Sequence, residues 1–153
     1  MSSGHSYPAL DSAMPTLTLE ITESALMHNL KAGAGVLDRL HDMSVGLHLD
    51  DFGTGYSSLA YLHRLPVDTL KVDRSFVSRM DGAPQQEAIV KAIVALAQNL
   101  GMDIVAEGVE TREQADALRA LHCRRAQGYL FSKPLPAEEA ERLVVDGISM
   151  SED

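Results

Sequence analysis

The 153-residue chain contains five short segments in which apolar and polar residues alternate, as in β-strands with one buried face. These predicted strands cover residues 16–22, 45–50, 68–73, 103–108 and 125–131. The segments between them space apolar residues three or four positions apart, as amphipathic helices do, over 28–43, 84–100, 111–122 and 135–145. Strands and helices that alternate in this way predict right-handed β–α–β units around a parallel sheet. We therefore predict a single α/β domain.

Two helix boundaries are marked by short sequence signals. Thr111 opens the helix of 111–122 and Gln114 follows three residues later. This is the pattern of a capping box, in which each side chain binds the backbone amide of the other residue. Gly101 follows the apolar stripe of 84–100 at the position where a glycine commonly ends a helix.

The polar residues of the predicted strands favour a barrel over an open sheet. Leu17, Leu19 and Ile21 share one face of the first strand, and the opposite face is polar. In an open, doubly wound sheet the central strands are almost continuously apolar, whereas each predicted strand here has one polar residue near its C-terminal end: Glu20, Asp50, Lys71, Glu107 and Gln127. Parallel strands bring such residues to one rim, where (β/α)8 barrels hold their active sites. Because a full barrel has eight strands, we predict a partial TIM-type (β/α)8 barrel, about its last five βα units.

Four carboxylates are expected at this rim, from Glu20, the adjacent pair Asp50 and Asp51, and Glu107. Unpaired carboxylates in such proximity repel one another, and hard divalent cations such as Mg²⁺ or Mn²⁺ relieve the repulsion by binding their oxygen atoms. Two such ions can activate a water molecule for attack on a phosphodiester, and Lys71 adds a fixed positive charge beside them. Considered alone, a strand-end glutamate such as Glu20 is more commonly a solvated side chain than a metal ligand, and a lysine such as Lys71 is more commonly a surface residue. The convergence of five strands on one rim is what predicts a site.

The composition narrows the class of ligand and the location. The formal net charge of −9 argues against nonspecific nucleic-acid binding, which requires a basic surface, so we expect no DNA partner. No apolar stretch approaches the roughly 20 residues of a membrane span, so we expect no membrane contact by this segment. The lone cysteine, Cys123, suits a reducing cytoplasm. We interpret residues 1–15 as a leader or tag-like segment and 148–153 as a C-terminal tail.

Five motifs in the chain together resemble one protein family. They are "LEITES" (19–24), "LDDFGTGYSSL" (49–59), "LKVDRSFV" (70–77), "VAEGVET" (105–111) and "QGYLFSKPL" (127–135). Their order and approximate spacing are similar to those of the EAL-domain cyclic-di-GMP phosphodiesterases. The resemblance delimits the domain as residues 16–147. It implies a barrel fold and a place in a bacterial cytoplasmic signalling protein. It also implies that the domain hydrolyses cyclic di-GMP to linear pGpG with Mg²⁺ or Mn²⁺.

The resemblance also implies roles for the residues at the rim. Glu20, Asp50 and Asp51 would be metal ligands. Glu107 would act at the metal centre and as the general base, and Lys71 would hold the attacking water or the phosphate.

Three further residues receive supporting roles from the same resemblance. Glu110 and Gln127 would support the substrate and the metals. Glu23, otherwise readable as an ordinary helix-start acid, would anchor the loop 50–60, which in the family couples metal binding, substrate binding and dimerisation.

The chain departs from the family pattern in one respect. The Glu-Ala-Leu triplet that names the family is absent, as are the asparagine of the following strand and an arginine beside the triplet. All three belong to the first three strands of the family's barrel. We therefore expect a truncated EAL domain with impaired turnover.

Two other functions remain open from the sequence. One is an interaction module that binds cyclic di-GMP or metal without turnover. The other is a self-contained flavodoxin-like domain with phosphoacceptor chemistry at Asp50, which fits the length of the chain but not its strand faces. An unclosed barrel would leave two edge strands unpaired, so we expect a homodimer or another form of self-association.

Overall fold

The structure is a computed structural model that describes residues 17–28, 30–55, 62–80 and 83–146. Its elements follow in the order β1 (Thr18–Thr22), α1 (Glu23–His28), α2 (Leu30–Asp42), β2 (Gly46–Phe52), β3 (Thr69–Val72), α3 (Arg74–Val77), α4 (Pro84–Asn99), β4 (Asp103–Glu107), α5 (Arg112–Ala120), β5 (Arg125–Gln127) and α6 (Ala137–Asp146). The segment 1–15, the tail 148–153 and residues 56–61 of the loop after β2 lie outside the described residues. Within the described residues, no helix has the length and apolar character needed to cross a membrane.

The five strands form one parallel sheet in which spatial order equals chain order, from β1 to β5. A flavodoxin-like sheet contains a reversal of strand order. Strands that follow one another without reversal form the wall of a (β/α)8 barrel, in which helices connect them. Among the described residues, helices follow β1, β3, β4 and β5. The predicted α/β class and partial barrel are therefore confirmed, and the flavodoxin-like alternative is wrong.

The alternation along the strands separates an apolar face of the sheet from a polar one. Leu47, Leu49, Leu70 and Val72 are almost completely buried, and they form one core with residues of the helices. Burial of a side chain of this size is worth about 1.5–3 kcal/mol relative to exposure. A one-residue slip in register would turn these side chains to the opposite face. The core therefore fixes which residues lie on the polar face.

The first strand differs from this expectation because it lies at an edge of the sheet. Leu17 and Leu19 are 56% and 38% exposed, although they share an apolar face with Ile21. Among the described strands, β1 pairs only with β2, so part of this face has no neighbouring layer to cover it.

The predicted strand over 125–131 is correct only for its first half. β5 ends at Gln127, and the chain then turns back toward Val109, whose backbone oxygen accepts a hydrogen bond from the amide of Leu130 (3.0 Å). A Cβ at Gly128 would lie 2.1 Å from that same oxygen of Val109. The turn therefore requires a residue without a side chain, and it directs 128–131 away from the sheet.

Two further element boundaries differ from the sequence prediction. A helix begins at Glu23, so the predicted helix over 28–43 is in fact preceded by α1 and begins at Leu30 as α2. Strand β2 continues two residues beyond the predicted end at Asp50, to Phe52. Asp50 and Asp51 therefore lie inside the strand, and not in a turn after it.

Candidate metal centre

The polar residues at the strand ends converge on the ammonium group of Lys71. Its Nζ lies 2.6 Å from Glu20 Oε1, 2.6 Å from Glu107 Oε1 and 3.2 Å from Asp50 Oδ1. The Nε2 atom of Gln127 donates a hydrogen bond to Glu107 Oε1 at 2.7 Å. All five strands thus bring their predicted polar residue to one cluster. Lys71 is only 5% exposed, so it is buried and is not a surface lysine.

A β-bulge explains how two adjacent aspartates reach the same side of the sheet. Leu49 pairs with Leu70 and Phe52 pairs with Val72, so β2 has one residue more than β3 across this interval. Asp51 adopts a positive φ of 55° within the bulge. Successive side chains of a regular strand point to opposite faces, and the extra residue removes that restriction.

Three carboxylates form a group suited to a divalent cation. Asp50, Asp51 and Glu107 each offer an oxygen atom, and these atoms lie within 4.8 Å of one another. Carboxylate oxygens without a histidine or thiolate are the donor set of hard cations such as Mg²⁺, Ca²⁺ and Mn²⁺. Glu20 lies outside this trio and is joined to it through Lys71. The donor chemistry of the rim therefore fits a metal centre.

The electrostatics of the rim indicate an excess of negative charge. Burial, with repulsion from Asp50 and Asp73, raises the pKa of Asp51 above its ordinary value of 3.8. Burial also raises the pKa of Glu107 from 4.5, although the hydrogen bond from Lys71 opposes the shift. Burial disfavours the charge on Lys71, but its hydrogen bonds with Glu107 and Glu20 outweigh this and raise the pKa of Lys71. Lys71 therefore stays charged, whereas the ionised forms of Asp51 and Glu107 are disfavoured.

Glu23 fixes the chain immediately after the bulge. Its side chain is fully buried, and its Oε2 accepts hydrogen bonds from the amides of Gly53 (2.9 Å) and Gly55 (3.3 Å). Gly53 has a φ of +97°, and a Cβ there would lie 2.8 Å from Phe76 Cε2. The side chain of Glu23 thus holds the backbone of this part of the loop, at a position that requires glycine.

Glu110 lies beside the carboxylate cluster and is not part of it. It lines a groove of about 380 Å³ together with Arg74, Gln127, Tyr129 and Lys133. Its backbone amide donates to Gln114 Oε1 at 2.8 Å. Glu110 is therefore placed to contact a ligand that extends from the rim, rather than to bind a metal with Asp50 and Asp51.

Asp73, which follows β3 at the same end of the strands, was not among the predicted site residues. Its charge contributes to the raised pKa of Asp51, and its Oδ1 accepts the amide of Ser75 at 3.0 Å to cap α3. The signal was present, because the predicted strand over 68–73 ends in this aspartate. Lys71 of the same strand also lies near its C-terminal end, and it was the residue assigned to the rim by the alternation. Arg74 and Lys133, the two cationic residues of the groove, had no strand-end signal.

Comparison with known proteins consistently finds similarity to proteins that contain an EAL domain. The family model described as EAL domain matches residues 9–134. The cyclic di-GMP phosphodiesterase NbdA of Pseudomonas aeruginosa is 52% identical over 128 residues, which are 84% of this chain and 16% of NbdA. The chain therefore spans about one sixth of the length of this relative.

Solved structures agree with this assignment. The PaMucR phosphodiesterase in complex with c-di-GMP has a TM-score of 0.80 and 48% identity, and the match covers 83% of this chain and 51% of that one. Klebsiella pneumoniae BlrP1, solved with manganese and cyclic di-GMP, has a TM-score of 0.72 and 38% identity over 76% of this chain and 30% of that one. The parallel strands and helices described above thus have counterparts in structures that contain the dinucleotide.

Proposed function

This chain belongs to the EAL-domain family, and we propose that it supplies the metal-binding rim of a cyclic-di-GMP phosphodiesterase. The observation that carries the proposal is the approach of Asp50, Asp51 and Glu107 within 4.8 Å, beside the ammonium of Lys71. The names of NbdA and PaMucR, and the c-di-GMP bound to PaMucR, support the choice of substrate.

The proposed metal ligands are Glu20, Asp50, Asp51 and Glu107, and the proposed ions are Mg²⁺ or Mn²⁺. Bound ions of this kind would polarise the phosphodiester and lower the pKa of a water molecule. Manganese in the BlrP1 complex supports the choice. The excess of negative charge at the rim, seen in the raised pKa of Asp51, supports binding of a cation by this chain.

Hydrolysis requires a water oxygen to attack phosphorus while the bond to one ribose oxygen breaks. The water loses a proton, and the ribose oxygen gains one and leaves as a hydroxyl group. Glu107 is the proposed base that takes the proton of the water. Lys71 is the proposed donor that holds the water or a phosphate oxygen. Gln127 orients Glu107 through its 2.7 Å hydrogen bond.

The groove beside the rim provides room for the rest of the ligand. Arg74 and Lys133 give it positive charge, and Tyr129 gives it an exposed aromatic ring. Together with Glu110, these groups suit a molecule that has phosphates and hydrogen-bonding bases. Glu23 would couple the loop after β2 to this site through Gly53 and Gly55.

Binding without turnover is the second candidate function, and the position of Glu20 favours it. The carboxylate of Glu20 lies on the edge strand and is 51% exposed. A proposed metal ligand that is open to water on one side suits reversible binding better than a rigid catalytic geometry.

We also propose that residues 16–147 form one domain, that the chain acts in the cytoplasm, and that it self-associates. The exposed Leu17 and Leu19 at the edge strand support the last of these, because an unpaired strand edge is a template for another strand. A second copy of the chain is the proposed occupant of this edge.

The test is to incubate the purified chain with cyclic di-GMP and Mn²⁺ and to follow pGpG by chromatography, with binding measured by calorimetry in Ca²⁺. Asp50→Ala removes a proposed ligand, and Asp38→Ala removes an exposed aspartate of α2 as the matched control. Turnover that only Asp50→Ala abolishes supports the enzyme. Binding without turnover supports the second candidate, and neither binding nor turnover contradicts both.

A further inference from the structure

Lys71 is the counter-ion of the rim. From β3 its ammonium contacts Glu20 of β1, Asp50 of β2 and Glu107 of β4, at 2.6, 3.2 and 2.6 Å. The side chain is almost completely buried, so the ammonium has exchanged its water shell for carboxylate oxygens. A single cation on the central strand thus holds three other strands together at their C-terminal ends.

Two of the carboxylates that pair with Lys71 are also carboxylates that would bind a divalent cation. Asp50 and Glu107 belong both to the partners of Lys71 and to the trio completed by Asp51. Glu107 Oε1 accepts from Lys71 and from Gln127, and Asp50 Oδ1 faces Lys71 while it accepts the amide of Asp51 at 3.0 Å. A cation that bound these carboxylates would compete with Lys71 for their electron pairs.

The charges make this competition strong. At an effective dielectric constant of about 20, an ammonium and a divalent cation about 4 Å apart repel each other by enough to change an affinity more than tenfold. Three carboxylates pair with this one ammonium group and Asp51 adds a fourth at the rim, so the rim still attracts a cation. Lys71 would therefore weaken metal binding without preventing it.

We propose that Lys71 is a built-in competitor of the divalent cations, which must displace it from Asp50 and Glu107 in order to bind. This inference rests on the metal centre of the proposed function. When metal is absent, Lys71 holds the carboxylates in place and limits their repulsion. When metal binds, the released ammonium becomes available to a phosphate oxygen of the ligand, so metal and phosphate each favour the binding of the other.

The test is a titration of the full chain with Mn²⁺, followed by electron paramagnetic resonance of the free ion. Lys71→Met removes the charge and keeps a stem of similar length. Lys91→Met, at an exposed position of α4, removes the same charge elsewhere. We expect Lys71→Met to bind Mn²⁺ at least about tenfold more tightly than the unmodified chain, and Lys91→Met to bind within about twofold of it.

A second variant covers the case in which Lys71→Met unfolds without metal. Lys71→Gln keeps a hydrogen-bond donor for Glu107, and circular dichroism shows whether each variant is folded before the titration. Mn²⁺ that binds the unmodified chain but binds the folded Lys71 variant no more tightly would overturn the inference and leave the metal centre intact. Failure of Mn²⁺ to bind any of the chains would overturn the metal centre itself, and the inference with it.

Discussion

Asp51 adopts a left-handed backbone conformation inside β2, a region that residues other than glycine seldom occupy. Aspartate tolerates it better than most residues, because its short polar side chain can bond locally. The adjacent carboxylates were visible in the sequence, and a cation that binds them was predicted from it. The bulge that brings both to one side was not, because it arises from the pairing of β2 with β3.

Replacement of Asp51 by asparagine tests its role with little change in shape. The raised pKa of Asp51 means that its ionised form is unfavourable in the folded, metal-free chain. Asp51→Asn should therefore raise the melting temperature in EDTA and lose most of the stabilisation that Mn²⁺ gives the unmodified chain. Asp38→Asn, on the exposed side of α2, should change neither melting curve. A full Mn²⁺ effect in Asp51→Asn would contradict a ligand role.

The raised pKa values also predict how metal binding depends on pH. For a carboxyl whose pKa is raised by folding, the unfavourable ionised form is present above that pKa and is relieved as the pH falls through it. Asp51 and Glu107 therefore take up protons in the folded chain above the ordinary values of 3.8 and 4.5. Mn²⁺ competes with these protons, so its affinity should already be lower at pH 5 than at pH 7, as measured by calorimetry. Equal affinity at both pH values would contradict this.

The long-range contacts of Glu23 and Lys71 could not be predicted from the sequence. The sequence identified both as candidates. The complete burial of Glu23 depends on contacts with the amides of Gly53 and Gly55, about thirty positions away. Contacts of such separation follow from the tertiary fold, and no local pattern encodes them.

Local signals predicted individual elements well where the interactions are local. The capping box of Thr111 and Gln114 is present, with both hydrogen bonds at 3.2 Å, and Gly101 has the positive φ expected after α4. β5 was predicted too long, because its end is imposed by the turn of Gly128 against Val109. The sequence signal of alternation continues through this turn although the strand does not.

Two glycines give a matched test of the loop that follows β2. Gly53→Ala places a Cβ against Phe76 at a φ of +97°, and we expect it to lower the free energy of unfolding by about 1–3 kcal/mol in urea denaturation. Gly35→Ala lies inside α2 with no atom within 4 Å of the added Cβ. It should raise the same free energy by about 0.5–1 kcal/mol, because alanine favours a helix. Two changes of the same sign would contradict the proposed strain at Gly53.

For the whole molecule, the polar residues at the strand ends predicted the architecture. One polar residue on each of five strands indicated a barrel rim, and the structure brings those residues together around Lys71. The exposure of Leu17 and Leu19 was not predicted. Alternation shows which residues share a face, but whether that face is covered depends on what packs beside β1.

Among the described strands β1 pairs on one side only, which predicts that the chain associates with a second copy. Leu19→Lys introduces a charge there, and charges on edge strands prevent pairing with other chains. We expect light scattering after size-exclusion chromatography to show a larger species for the unmodified chain and a monomer for Leu19→Lys. Ile89→Lys, at a position of α4 with nearly the same exposure (40% against 38%), should leave the larger species unchanged. A monomeric unmodified chain at high concentration would contradict the prediction.

Crystallography with anomalous scattering would show whether Asp50, Asp51 and Glu107 hold a divalent cation. Crystals of the chain grown with Mn²⁺ should show an anomalous peak at bonding distance from oxygen atoms of these three residues, with Lys71 Nζ withdrawn from Glu107. An anomalous map without a peak at the rim, in which Lys71 still pairs with Glu20, Asp50 and Glu107, would contradict the account.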